Sequence, residues 1–380
     1  MIININKNLK WKEVIIVLLD FKHQVVKKEK LSFIENKSQV EVDLNNIRYC
    51  YFTNSIKNSE VVILSKNTPT LNLYYNRRKN LYSVKFSLDR QNNYGRIDTL
   101  KIKDEKNLYY RKDQQKLVHI YTPKNFSSKK EYNLLIMFDS QNIFDPKILG
   151  QYTKRNDPYG SWQIETSLNN IKSRYQEEFV VIGIDNSDSY RDQELTPNQE
   201  NWQIKRRMKH EFNFTDTHLD DLLNFIHQTL IPKVKKKYQL KTSFVGIAGS
   251  SSGGLASIYG GIKYYNFYQF ILSFTPAIGL ATDRSIKKIY KKYIDKSLSQ
   301  PHIFFFQGKH GELEKILYRE NKNFIKNLIK CGIKKENIDS YIEENADHNE
   351  DYWRYAFNYA MEVVIERKLN TKIKRWVICS

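Results

Sequence analysis

The segment Gly249-Ser-Ser-Ser-Gly-Gly254 gathers the residues best suited to nucleophilic chemistry. It closely follows an apolar run, Phe244 to Ile247, and precedes small and apolar residues from Leu255 to Tyr259. Strand, tight turn and helix are expected in that order, the setting in which a serine hydroxyl is thrust clear of a sheet. Only Ser251 has glycine two residues away on both sides, at Gly249 and Gly253, which makes it the candidate nucleophile. The partial positive charge at the start of the following helix would favour a developing oxyanion, and the Ser252 backbone N–H is the first candidate donor to it. A Gly/Ser-rich loop with no chemistry has the same composition, so the motif needs partners elsewhere in the chain.

A protonated serine is a poor nucleophile and needs a base. Where a strand–turn–helix serine works with a histidine, the chain order is serine, acid, histidine. Of the eight histidines only His302, His310 and His348 follow Ser251. His302 opens an apolar run. His348 lies in Ala346-Asp-His-Asn-Glu-Asp-Tyr-Trp353, after the last expected strand (Ile338 to Ile342) and at the start of a final helix, and is the candidate base. The orienting acid is expected after the run Ile303 to Phe306, where Gln307-Gly-Lys-His-Gly-Glu-Leu-Glu314 reads as a loop. Glu312 is the first choice there and Glu314 the reserve, while His310 is a candidate substrate contact.

These residues need a frame, and the chain supplies two styles of one. Up to about Arg111, short alternating stretches at Val40–Leu44, Ile47–Phe52, Val61–Leu64, Leu71–Tyr75 and Leu81–Phe86 are separated by Asn-rich turns. They predict a small β-sandwich. From about Leu117, continuous apolar runs appear at Leu134–Phe138, Phe179–Ile184, Phe244–Ile247, Phe270–Phe274 and Ile303–Phe306, with helical patterns between them, the clearest over Asp216–Val234. Such alternation predicts a mostly parallel sheet covered on both faces, with chemistry at the carboxyl ends of its strands. The domains expected are 1–110 and 111–380.

Several blocks then resemble one family in order. Phe138-Asp-Ser-Gln-Asn-Ile-Phe144 resembles a D-G-Q-N-x-F segment, with Ser140 in place of glycine, and Trp162 the tryptophan that follows it. Ile182-Gly-Ile-Asp185 with Arg191-Asp-Gln-Glu-Leu-Thr-Pro197 resembles G-I-x…R-x-x-E-x-x-P. Leu230-Ile-Pro232 through Tyr238 resembles the helix before the elbow. Gly249 to Gly254 matches G-x-S-M-G-G with Ser252 in place of methionine, and His348 to Trp353 matches H-N-E-x-x-W. Over about Leu117 to Arg367 the chain therefore resembles the Putative esterase family of α/β-hydrolases, with enterochelin esterase, S-formylglutathione hydrolase, feruloyl esterases and mycolyltransferases. The resemblance implies an α/β-hydrolase fold and an acyl-enzyme on Ser251. It also implies a second oxyanion donor near Ser140 or Gln141, with Arg191 and Glu194 as a pair shaping the pocket wall. Trp353 would brace the histidine loop, and Trp162 would line or underlie the cleft. Trp162, Ser140 and Arg191 are thus the expected substrate-binding residues. It further implies that residues 1–110 could be a carbohydrate-binding type of module, with Tyr74, Tyr75 and Tyr82 as candidate sugar-stacking aromatics.

Composition bounds the alternatives. The chain has 62 Lys+Arg against 42 Asp+Glu, a net charge of +20, with 40% apolar residues. The lysines are scattered, and the densest runs, Lys233–Lys237 and Lys287–Lys292, read as solvated helix faces rather than a specific nucleic-acid surface. Cys50, Cys331 and Cys379 form no CxxC pair, which suits a reducing compartment. The apolar run Val14–Leu19 is too short to span a membrane and has no cleavage site after it, so a cytoplasmic soluble protein is expected. No P-loop, GxGxxG, HExxH or paired Cys/His spacing occurs, and the implied mechanism needs no metal or organic cofactor. The partner expected is a small-molecule ester, with no oligomerisation signature in the pattern. Acyl transfer to another acceptor and a non-catalytic binding protein on the same scaffold are the rival readings.

Overall fold

A computed structural model describes residues 2–19, 24–43, 47, 49–57, 59, 62–63, 70–76, 81–87, 95–103, 115–145, 161–198, 206, 209–210, 213–214, 216–280, 300–344 and 346–378. The run Lys287–Lys292 and Cys379 lie outside them. The chain divides into two compact units, Met1–Asn93 and Tyr94–Ser380.

In the first unit β1 (Ile2–Asn8), β2 (Ile15–Leu19), β3 (Val25–Lys30), β4 (Lys37–Glu41), β5 (Tyr49–Thr53), β6 (Val62–Ile63), β7 (Thr70–Asn76) and β8 (Leu81–Ser87) build two sheets. Their orders are β4-β1-β7-β8 and β3-β2-β5-β6. All pairs are antiparallel except β1 with β7. Alternate residues of both sheets fill one core: Ile3 and Ile5, Ile16 and Leu18, Cys50 and Phe52, Leu71 and Leu73. A period of two with one face buried specifies such a sandwich. Burial pushes the Cys50 thiol far up, so it is an inert core residue. Tyr74, Tyr75 and Tyr82 sit on β7 and β8, and their side chains lie outside the described residues.

The second unit is built on eight strands: β9 (Arg96–Lys103), β10 (Gln115–Thr122), β11 (Glu131–Phe138), β12 (Phe179–Ile184), β13 (Lys241–Ser250), β14 (Phe270–Phe274), β15 (His302–Gly308) and β16 (Ile338–Glu343). Their order is β16-β15-β14-β13-β11-β12-β10-β9. From β16 across to β12 every pairing is parallel, and β10 runs antiparallel to both neighbours. The expected boundary near residue 110 therefore moves to Asn93/Tyr94, because β9 pairs along its full length with β10 and belongs to the larger sheet.

Helices α1 (Ile164–Tyr175), α2 (Arg191–Glu194), α3 (Leu219–Phe225), α4 (Ile231–Tyr238), α5 (Ser252–Lys263), α6 (Gly311–Lys330) and α7 (Glu350–Ile378) connect and cover it. The chain leaves β11 toward β12 on one side and returns to β13 on the other. The loops after β11 and β13 thus diverge at the switch point of the sheet, where open α/β sheets offer a crevice. Among the described residues no helix is long and apolar enough to cross a membrane.

A π-helical turn, Ile226–Leu230, joins α3 to α4 and carries His227. Its ring stacks on Tyr264 at 3.7 Å between centroids, and Tyr268 Oη lies 3.1 Å from Nε2. Burial, then the nearby Lys263 charge, pushes the imidazole down to about 4. The folded protein therefore binds fewer protons than the unfolded chain between about pH 6.5 and 4, and stability is lost as pH falls through that window. His227→Gln is expected to flatten this part of a urea-melt pH profile. The wild-type penalty relative to the variant should reach up to about 3 kcal/mol at the acid end.

Candidate active site

Ser251 follows β13 directly and precedes the first residue of α5. Its backbone has φ 55° and ψ −122°, a conformation that L residues avoid, that costs about 1–3 kcal/mol and that persists only where its surroundings impose it. They do so here with three hydrogen bonds. The Ser251 N–H donates to Phe274 O at 2.9 Å, and the Ser251 carbonyl accepts from Leu255 at 3.1 Å and Ala277 at 3.0 Å. The flanking glycines are steric necessities. A Cβ on Gly249 would lie 2.5 Å from the Gly253 carbonyl oxygen, and one on Gly253 would lie 2.8 Å from Asp139 Oδ2. Ser252 opens α5, so its N–H falls in the first turn, where a helix offers no internal acceptor.

The loop after β11 turns at Asp139, which has φ 59°, into a 3-10 turn over Ser140–Asn142. Asp139 is buried and receives two bonds from Arg191, Nε to Oδ1 at 2.7 Å and Nη2 to Oδ2 at 2.8 Å, plus Asn186 Nδ2 at 2.7 Å. Burial would raise this carboxyl, but the Arg191 charge and the bonds from Arg191, Asn186 and Gln141 outweigh it and hold the group below the usual carboxylate range. Arg191 also reaches the Ser250 carbonyl at 3.4 Å. One guanidinium thus ties the β11 loop to the elbow. The partner foreseen for Arg191 was Glu194. Instead Glu194 is fully buried and pairs with Lys116, and its Oε2 accepts the Ser187 N–H at 3.0 Å.

His348 stands in the loop between β16 and α7, with Nδ1 2.8 Å from Glu314 Oε1. The carboxylate on the candidate base is therefore Glu314 and not Glu312. Glu312 is 85% exposed and pairs with Lys315 at 2.9 Å. The reason is helical geometry. Residues 311–330 form a 20-residue helix rather than a loop at this point, and its buried stripe runs Glu314, Leu317, Asn321, Phe324, Leu328. A position two residues earlier than 314 lies roughly 200° around the helix axis and faces water. His310 caps α6, and its Nδ1 lies 2.5 Å from Asp347 Oδ1 while its N–H donates to Ala346 O at 3.1 Å. Two reciprocal histidine–carboxylate contacts thus join the segment before Glu314 to the segment before His348.

Contacts link the histidine loop to the elbow. The His348 ring meets Trp353 edge-on at 5.0 Å, and Trp353 Nε1 donates to Thr275 Oγ1 at 3.0 Å. Thr275 follows Phe274, whose carbonyl holds the Ser251 N–H. Asn142 Nδ2 donates to Glu350 Oε1 at 3.0 Å, tying the β11 loop to the start of α7. Trp162 is 2% exposed and packs against Phe274, Trp353 and Phe357. It underlies the site instead of lining it. Ser140 is also fully buried, with its hydroxyl donated to Asp185, and it fits because Gly183 lacks a Cβ beside it. Neither side chain is placed to touch a ligand, and Arg191 is committed to Asp139. The residues the sequence reading passed over are Asp139, Asp192, Thr275 and Asp347. Asp139 is itself the first residue of the D-x-Q-N block, which was the signal available for it, whereas Asp192 falls at an unspecified position of the R-x-x-E-x-x-P block. Among the described residues, no group of three or more His, Cys, Asp or Glu stands where it could hold a metal ion.

A parallel sheet with a strained serine after one central strand and a histidine–carboxylate pair after later strands defines an α/β-hydrolase-like protein. Residues 112–362 match the Putative esterase family, and the chain belongs to that family. The fold is similar to the siderophore hydrolase EstA from Aspergillus nidulans, with TM-score 0.53 and 17% identity over 74% of this chain and 98% of that one. It is also similar to the enterobactin esterase FES from Shigella flexneri, with TM-score 0.50 and 14% identity over 94% of this chain and 89% of that one. A search of curated proteins finds no match.

Proposed function

We propose that the chain is a serine carboxylic-ester hydrolase. The observation that carries this is the backbone of Ser251, held at φ 55° by three hydrogen bonds between β13 and α5. In the proposed reaction the Ser251 hydroxyl gives its proton to His348 Nε2 as Oγ bonds to the ester carbonyl carbon. The N–H groups of Ser252 and Gln141 hold the resulting oxyanion. His348 returns the proton to the departing alkoxide, leaving an acyl group on Ser251. Water, deprotonated by His348, then attacks the acyl-enzyme and releases the carboxylic acid. Glu314 fixes the tautomer that puts the Nδ1 proton toward its own carboxylate and stabilises the imidazolium. The protein works on small-molecule esters in the cytoplasm. Siderophore and aryl esters are the first to test, given what the two similar structures are named for.

A stopped-flow experiment with p-nitrophenyl acetate tests the two-step scheme. It should give a burst of about one nitrophenolate per protein before the steady state, since covalent catalysis separates acylation from deacylation. Added alcohols should leave free acetate as the main product. Turnover with no attachable acyl group at any pH would contradict the scheme, and quantitative transfer to the alcohol would make the protein an acyltransferase.

A further inference from the structure

The residue after the nucleophile, Ser252, has its hydroxyl 2.6 Å from Asp192 Oδ1. Asp192 lies on α2 beside Arg191, at the same carboxyl edge of the sheet as the elbow. Its side chain is 51% exposed, whereas that of Asp139 is 8% exposed. Arg191 spends its two shorter bonds on Asp139 and gives Asp192 only Nη1 at 3.3 Å. The three groups therefore carry one net negative charge, and it rests on the exposed partner. Asp192 Oδ1 takes both contacts, and Oδ2 has no partner among the described residues. A fixed, half-exposed carboxylate with one open oxygen thus stands beside the residue whose N–H is the proposed oxyanion donor. This occurs in a chain whose net charge is +20, where a general surface field would draw anions instead.

The geometry points to Asp192 as a specificity-determining residue that selects esters bearing an ammonium group near the scissile carbonyl and disfavours esters bearing an anion there. The inference rests on the esterase reading above. Ser252 is integral to it. Its hydroxyl donates to Oδ1, which anchors the carboxylate and leaves Oδ2 to receive an N–H from the substrate or to face a quaternary nitrogen. Asp139 cannot take this role, because both of its oxygens are already bonded and buried.

The test compares acetylcholine with its uncharged isostere 3,3-dimethylbutyl acetate, which differ by one positive charge at nearly constant shape. Wild-type protein should favour the cation by about two- to fivefold in kcat/KM, the range expected of a partly exposed charge pair, and rising salt should shrink the ratio. Asp192→Asn should bring the ratio to about one, and Asp192→Glu should restore part of it. Equal ratios in wild-type and Asp192→Asn protein would overturn the assignment. If wild-type protein hydrolyses neither these esters nor p-nitrophenyl acetate, the esterase reading fails separately. Choline binding followed by ligand NMR then decides this one. Weaker binding by Asp192→Asn than by wild type supports the subsite, and equal or absent binding in both overturns it.

Discussion

Substitution of Ser251 by alanine is expected to lower kcat/KM for p-nitrophenyl acetate by about 10⁴- to 10⁶-fold, with the fold intact. The size follows from what is removed. The hydroxyl is the only atom lost, and with it goes the covalent step, while the Ser252 N–H and the helix behind it persist and still polarise a bound carbonyl. Folding should survive because the bonds that hold this position run through the backbone: the N–H to Phe274 and the carbonyl to Leu255 and Ala277. Alanine keeps all three. The melting temperature should stay within about 2 °C of wild type, which separates loss of the nucleophile from loss of the fold.

The second large effect concerns the acid. Glu314→Gln is expected to cost about 10³- to 10⁴-fold in kcat with little change in KM. An amide in place of the carboxylate can donate to His348 Nδ1, which then favours the tautomer carrying its proton on Nε2. That nitrogen can no longer take the serine proton. Glu312→Gln is the matched control. Its carboxylate is 85% exposed and pairs with Lys315 one turn away, so activity should remain within about twofold of wild type. A reversal of these two results would return the acid to Glu312 and would require the α6 helix to be rotated or unwound at its start.

The contrast between these two glutamates shows what the sequence could reveal. The setting of the candidate nucleophile was legible because its requirements are local: a strand, two glycines placed for a bend and a helix within a dozen residues. His348 was legible from its place after the last apolar run. The carboxylate that meets His348 was not, because the segment after the run Ile303 to Phe306 reads as a loop, whereas a helix begins at Gly311. The signal was nonetheless present in the apolar spacing Leu317, Phe324, Leu328, which extrapolates back to 314 and excludes 312. The buried strands β11, β12 and β14 stood out as continuous apolar runs. By contrast β3, Val-Val-Lys-Lys-Glu-Lys, is an edge strand with nearly every side chain in solvent, so no burial pattern could mark it. Its existence depends on backbone pairing to β2, and its lysines suit an edge that must not recruit further strands.

Pairs distant in sequence were the least legible part. Arg191 meets Asp139 across 52 residues and Lys116 meets Glu194 across 78. Family resemblance suggested Arg191 with Glu194, which are one helical turn apart. The structure instead sends each to a separate partner, because Arg191 points to the elbow side of α2 and Glu194 to the buried side. The result matters for function. Arg191 makes its two shorter bonds to Asp139, and Asp192 keeps the longer contact to Arg191 and the bond from Ser252.

The most direct measurement is covalent capture of the nucleophile. Wild-type protein would be treated with a fluorophosphonate, digested, and the adduct located by peptide mass spectrometry. One phosphonyl group on Ser251 is expected, absent from Ser251→Ala and formed far more slowly in His348→Ala. A wild-type protein that stays unlabelled, or one labelled equally well after Ser251 is replaced, would contradict the account.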